Sequence, residues 1–522
     1  MSKRQSIWIL GMLALAVTGA WAQDSSTPPP EPASPGQQEP QATPQAPIPA
    51  YGQENTPPPI SENPPLSGLD LPSLEPHAAP LSYIQPGATF SESADSNVGN
   101  NLGSGSFSSI SRGLGSVTLK RLWSNYDLAA DYIGGVGYYD VAGQGFKAMQ
   151  QADVDQKITW KRGQLSVRDS FSYLPEGNFG GAYGSTGSQG IESLGNTAFS
   201  SFWGGNALGT IGLASRILNV SLADVSENLT PNSSITAAGG YAITHFYQNS
   251  PDGIPYLDSS QVSAQTGYNR ILTSHTQIAL VYGYQGFDFN TIGTAFHSHL
   301  ILAMYGHRIT GRMDLLIGAG PQFTRINTAC TLVDALSGNP LCGVNQSGLP
   351  TGSIPENKTG VAAQARLRYK FTRTYVDLSY QRFETSGSGL FAGAQSDIAR
   401  LSANRPLSRV WNAFTDIGYA RNSRLQSLSL AQTATCVFLG QPNPIGLPIC
   451  PVVDANTYST VFAGGGVHRA IGRNFHAFAS YQFNELWLDH SYCGGLPACS
   501  RISNREVVTI GLDWTPRPIR ID

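Results

Sequence analysis

The chain is poor in charge: Asp, Glu, Lys and Arg make up 13% of its 522 residues, and the net charge is -3. No basic stripe stands out, so nucleic acid is set aside as a partner. Long apolar runs are scarce as well. Mean hydropathy is slightly negative, and the one extended apolar stretch is Ile7 to Ala20, which leaves no transmembrane helix in the body of the chain. Catalytic signatures are missing: there is no H-E-x-x-H, no G-x-S-x-G and no P-loop. An enzyme is therefore not expected, and neither is a cofactor. Cysteine is limited to six residues, none with the C-x-x-C spacing of a zinc or redox site.

Lys3 and Arg4 precede the apolar stretch, and Ala20-Trp21-Ala22 offers a small-x-small cleavage site before Gln23. Residues 1–22 thus read as a secretory signal peptide, a short membrane anchor being the alternative. Residues 23–80 are dense in Pro, Gln, Ser and Glu (TPPPEPASPGQQEPQATPQAP, then TPPPISENPP). Such a segment buries too little apolar area to offset its ordering entropy, so it reads as an extended, disordered linker.

Residues 81–522 repeat one unit: an alternating run, a tight polar turn and a second alternating run often ending in Tyr or Phe. The eight turns are centred in LKRLWSNYDLAADY, ITWKRGQLSVRDSFSY, ENLTPNSSITAAGGY, NRILTSHTQIALVYGY, HRITGRMDLLIGAGPQF, RYKFTRTYVDLSYQRF, RPLSRVWNAFTDIGY and HRAIGRNFHAFASYQF. Longer Gly, Pro, Ser and Asn-rich stretches separate the units: Pro175 to Leu208, Asn249 to Ser259, Asn327 to Lys358 and Gln432 to Asn456. Short turns alternating with long loops fit a membrane barrel, and a soluble sandwich gives no reason for them. The hairpins, a first strand in Leu81 to Glu92 and a return strand Val507 to Trp514 make an all-β antiparallel transmembrane barrel of about 18 strands, with 16 as the alternative.

Single strands carry the matching alternation. Val376, Leu378 and Tyr380 oppose Asp377, Ser379 and Gln381; Val361, Ala363, Ala365, Leu367, Tyr369 and Phe371 oppose Gln364, Arg366, Arg368 and Lys370. Basic residues in succession on one face, with aromatics ending the other, fit a watery lumen and an interfacial girdle. In the last strand Val508, Ile510, Leu512 and Trp514 are expected in lipid, with Thr509, Gly511 and Asp513 toward water.

With its signal peptide, repeated hairpins and terminal alternating strand, the chain resembles a bacterial outer-membrane β-barrel of the porin-like kind. The resemblance covers Leu81 to the C-terminus. It implies residence in the outer membrane, contact with lipid, and passage of small hydrophilic solutes. It also implies recognition of the C-terminal strand by the barrel-assembly machinery; a homo-oligomer is compatible with it. The family usually ends on an aromatic, whereas Trp514 is followed here by TPRPIRID, a tail expected to trail into the periplasm with the linker.

On this pleat Lys157, Lys161, Arg168, Arg366, Arg368, Lys370 and Arg400 point into the lumen, as do Asp131, Asp377, Asp416 and Asp513. Facing ladders of opposite sign would set a transverse field, and the excess of basic residues leans toward anions; a merely solvated inner wall is the plainer reading. His297, His299 and His307 share one face, either as pore-lining or interfacial residues or, for the first two, as metal ligands. A passive diffusion channel is the leading function. A structural or secretion component, tethered by the Pro-rich segment, and an outer-membrane hydrolase are the other two. Pro175 to Leu208 could fold inward as a constriction.

The cysteines fall in the long-loop class as sequence neighbours, and in an exported chain this predicts disulfides Cys330–Cys342, Cys436–Cys450 and Cys493–Cys499, free buried cysteines being the alternative. Non-reducing peptide mapping should recover three local links. A cross-loop link would overturn the pairing, and free thiols would undercut the loop assignment.

Overall fold

A computed structural model of the chain describes residues 66–67, 82–98, 103, 105, 107–140, 145–175, 215–247, 257–290, 293–329, 353–385, 387, 391–425, 456–489 and 500–521. The six cysteines, residues 1–22 and the stretch 176–214 lie outside these. The described residues form eighteen long strands: β1 (Tyr83–Asp95), β2 (Ser108–Leu122), β3 (Tyr126–Tyr139), β4 (Gly145–Trp160), β5 (Gly163–Leu174), β6 (Arg216–Thr230), β7 (Ser233–Phe246), β8 (Ser259–Thr273), β9 (Thr276–Phe289), β10 (Thr294–Thr310), β11 (Met313–Ala329), β12 (Ser353–Lys370), β13 (Tyr375–Thr385), β14 (Ala394–Pro406), β15 (Trp411–Arg424), β16 (Thr457–Ile471), β17 (Phe475–Leu488) and β18 (Ile502–Trp514). A two-residue strand, β19 (Ile519–Arg520), follows.

Each strand pairs antiparallel with its sequence neighbours, and β1 also pairs with β18 from Ala88↔Trp514 to Asp95↔Val507. The sheet is therefore a closed barrel. All eight expected tight turns are present, each joining an odd-numbered strand to the even-numbered strand before it. We call this rim the turn end and the opposite rim the loop end.

Period-two geometry sorts the side chains. Ile510 is 58% exposed and Thr509 3%, while Val508, Leu512 and Trp514 are exposed and Asp513 is buried, which is the expected division. The same outward row runs around the wall through Val117, Tyr132, Val154, Val167, Leu280, Ile301, Ile317, Val361, Leu378 and Ile417. No water-soluble protein presents so continuous an apolar band, so the outer face is a lipid face. Aromatics edge it. At the turn end stand Trp123, Trp160, Phe371, Trp411, Phe475 and Trp514, with Arg121 over Trp123 at 4.9 Å and Arg469 over Trp411 at 5.2 Å. Near the loop end Tyr138 meets Phe146 and Tyr173 meets Tyr247, at centroid separations of 5.0 and 6.0 Å.

A buried ion pair fastens the closing seam at the loop end. Arg505 of β18 donates from Nε and Nη2 to Asp95 Oδ2 of β1, at 2.9 and 2.6 Å, with both side chains almost wholly buried. Along the seam Thr89 donates to Asp513 at 2.7 Å, and the Ser93 and Thr509 hydroxyls hydrogen-bond at 2.9 Å.

Three expectations change. The TPRPIRID tail joins the wall: Ile519 and Arg520 pair with Ile84 and Tyr83, Gln85 Nε2 donates to the Pro516 carbonyl at 3.0 Å, and Ile521 N donates to the Ser82 carbonyl at 3.0 Å. Pro516 and Pro518 lack the N–H a ladder needs, so the strand breaks at them and resumes beyond. The expected loop from Asn327 to Lys358 is shorter, because Asn327↔Pro355 through Gln322↔Gly360 keep their ladder; β-pairing continues above the lipid band, where apolar alternation is no longer required. Finally, Leu66 and Ser67, expected in the unstructured linker, lie against the inner wall.

Ile510→Arg puts a charge in lipid and should cost ~2 to 4 kcal/mol of folding free energy near the midplane. Ser402→Arg, at a half-buried position on the inner face of β14 opposite Asp377 and Asp416, puts the same charge on the lumen side and should cost far less. Folding titrations of the two variants into bilayers check this; equal tolerance would reject the face assignment.

Candidate functional site: the lumen wall

The inner face is lined by alternate residues of each strand, and on β11 to β15 these are charged. Register brings them together. Asp314 lies opposite Arg368, Arg368 opposite Asp377, Ser379 opposite both Arg366 and Arg400, and Ser402 opposite Asp416. Arg368 donates from Nε and Nη2 to Asp314 Oδ2 at 2.8 and 2.5 Å, Arg366 Nε to Asp377 Oδ2 at 2.7 Å, and Arg400 Nε to both oxygens of Asp416 at 3.0 and 2.9 Å. Tyr375 adds a hydroxyl to Asp377 at 3.3 Å. A diagonal ladder of arginine–aspartate pairs therefore climbs one side of the lumen.

Two of the three pairs are asymmetric toward solvent, while Arg368 and Asp314 are equally exposed at 18%. The Arg366 side chain is 29% exposed against 10% for Asp377, and Arg400 is 31% exposed against 1% for Asp416. In these two pairs the carboxylate is folded against the wall and the guanidinium stands further into the lumen.

The strands β3 to β5 stand nine positions away around the eighteen, on the opposite wall. There the balance reverses. Asp131, Asp153 and Asp155 gather near a single buried guanidinium, Arg168, which donates to Asp155 at 2.6 Å. Ser166 donates to Asp155 at 2.9 Å and Gln151 Nε2 to Asp153 at 2.5 Å. Lys157 shares this inner face at the turn-end extremity of β4. Both ladders lie in the turn-end half of the barrel, so they confront each other across the lumen.

Of the sequence-predicted set, Lys157, Arg168, Arg366, Arg368, Lys370, Asp377, Arg400 and Asp416 occupy the inner parity of their strands, as do Asp131 and Asp513. Lys161 does not. With Arg162 it forms the exposed turn between β4 and β5, where no wall face exists for it to share. The three histidines share a face, and that face is the outer one. His297 and His299 stack on Tyr284 and Tyr282 and exchange hydrogen bonds with their hydroxyls at 2.9 and 2.8 Å, while His307 meets Thr276 at 3.0 Å. They lie on the outer face of β10 and do not line the lumen. Among the described residues no group of three His, Cys, Asp or Glu is placed to hold a metal ion.

The inner wall also carries residues that charge alternation does not reveal. Phe287, Phe289 and Phe296, with Ile326, Ala392 and Leu425, form a fully buried apolar cluster at the loop end. Phe391 packs on Tyr458 at 5.1 Å with Arg424 over its ring at 4.9 Å. The signal was available in GFDF, where the odd-numbered phenylalanines continue the inward parity of Gln285.

Closed wall, lipid-facing exterior and charged interior define a transmembrane β-barrel with a polar lumen. No family model and no curated protein matches the chain. Solved structures similar to it include Pseudomonas aeruginosa OccK2 (OpdF) in complex with glucuronate, at 9% identity and a TM-score of 0.38 over 84% of this chain and 98% of that one. The outer membrane protein opdK of the same species matches at 8% identity and 0.37, over 83% and 98%. A BenF-like porin from Pseudomonas fluorescens matches at 8% identity and 0.38, over 84% and 99%.

Proposed function

We propose that the chain is a passive diffusion channel of the outer membrane for small hydrophilic solutes, with a bias toward anions. The observation that supports this most directly is the inner face of the closed eighteen-strand wall, which is charged and hydrogen-bonding; barrels of that strand number enclose more width than their own wall side chains fill. The pore-lining set is Lys157, Arg168, Arg366, Arg368, Lys370, Asp377, Arg400 and Asp416. Greater exposure of Arg366 and Arg400 than of their carboxylates gives the anionic bias its source.

On this reading the turn end faces the periplasm, the loops face outward, and the linker up to residue 80 approaches from the periplasmic side. Strand β18 is the element the barrel-assembly machinery would engage. The facing acidic and basic walls orient water and dipolar solutes across the passage, which disfavours apolar ones.

Purified protein in a planar bilayer should conduct, and under a salt gradient its reversal potential should take the sign of anion preference. Arg366→Gln should move it toward cations. Asp377→Asn, which removes the negative charge that faces Arg366, should move it further toward anions, both shifts being larger at low ionic strength. Absence of current would overturn the channel reading; current with shifts of the same sign in both variants would overturn the ladder as its selectivity element.

A further inference from the structure

Ser67 is held on the inner wall by every polar group it owns. Its backbone N–H donates to Asn269 Oδ1 at 2.9 Å, its carbonyl accepts from Gln265 Nε2 at 2.6 Å, and its hydroxyl accepts from Asn269 Nδ2 at 2.5 Å while hydrogen-bonding the Thr236 hydroxyl. Only 1% of Ser67 is exposed, and all three wall partners are buried. Leu66 completes the contact by packing on Ala279, Val281 and Met304, with Leu302 and Leu316 beside them. In a polar lumen that apolar patch would otherwise face water.

The wall is shaped for these two residues. A Cβ on Gly267 would stand 2.3 Å from Ser67 Cβ, and one on Gly306 would stand 2.7 Å from Leu66 Cδ2. Glycine at both positions gives the room the segment occupies. Local tethering does not explain the contact, since Ser67 lies 169 residues from Thr236 and 202 from Asn269, and β8 is seven strands from β1 around the wall. In sequence, Pro64 and Pro65 precede Leu66, which lowers the entropy lost on fixing it.

From this juxtaposition we propose that the inner wall from β7 to β11 is a docking site for the chain's own Leu66–Ser67, which acts as a resident stopper narrowing the turn end of the lumen. The proposal deepens the channel reading and rests on it. The site is non-covalent and specific for a short peptide that offers an apolar side chain followed by a hydroxyl and free backbone groups. Thr236, Asn269 and Gly306 lie close above the turns β6–β7, β8–β9 and β10–β11, so the stopper sits near the rim and can leave without disturbing the wall.

The test pairs Ser67→Cys with Thr236→Cys in the full chain and reads two things. Non-reducing peptide mapping should recover a disulfide between the introduced thiols, and single-channel conductance of the linked protein should rise on reduction, by more than it does for either single variant. Gly267→Val, which evicts Ser67 without a new link, should raise the conductance of the unlinked channel in the same direction. Absence of the link under oxidising conditions would overturn the docking. A link that forms, with conductance indifferent both to reduction and to Gly267→Val, would overturn the stopper. Silence of every variant, oxidised or reduced, would instead overturn the channel reading and with it the stopper, while the mapping result still decides the docking.

Discussion

Hydrocarbon offers no partner to a backbone N–H or C=O, and an unpaired group there costs several kcal/mol. Every feature of this barrel answers to that constraint. Eighteen strands can meet it only by closing, so β1 and β18 must pair although more than 400 residues separate them, Ala94 lying opposite Val508. Closure in turn forces each strand to divide its side chains between lipid and lumen. The tail obeys the same rule: after the prolines interrupt it, the chain returns at Ile519 to cover the exposed end of β1.

Once the wall is closed, its two faces are free to follow different chemistry. The outer face is uniform, apolar in its band and aromatic at its edges. The inner face is heterogeneous around the circumference, with guanidiniums forward on one side, carboxylates gathered on the other, phenylalanines near the loop end and a peptide receptor near the turn end. Most of these charges are neutralised in pairs, and in two of the pairs the guanidinium is the more exposed member.

Period-two alternation made the architecture legible, because every strand separates water from lipid and so writes its own pattern. The eight turns, the first strand and the faces of VVTIGLDW could all be read that way. What stayed hidden depended on distant partners or on sidedness. Asp95 and Arg505 are 410 residues apart, and neither carries a local sign of burial. Two residues of a Pro-rich run give no hint that Asn269 and Thr236 await them. For the histidines, spacing established that they share a face but not which one; the tyrosines at 282 and 284 decide it by holding them at the outer surface. Lys161 was assigned by extending a strand pleat one residue past its end.

The buried pair at the seam has a further consequence for fidelity of assembly. A slip of one residue between β1 and β18 would turn apolar rows inward, so the alternation itself forbids it. A slip of two residues would preserve both faces, and the alternation is blind to it. It would, however, draw Arg505 away from Asp95 by about 6 to 7 Å, leaving two desolvated charges apart, each at a penalty of several kcal/mol. The ion pair thus distinguishes the even misregisters that hydrophobicity cannot, and it acts as a proofreader at the last joint to close.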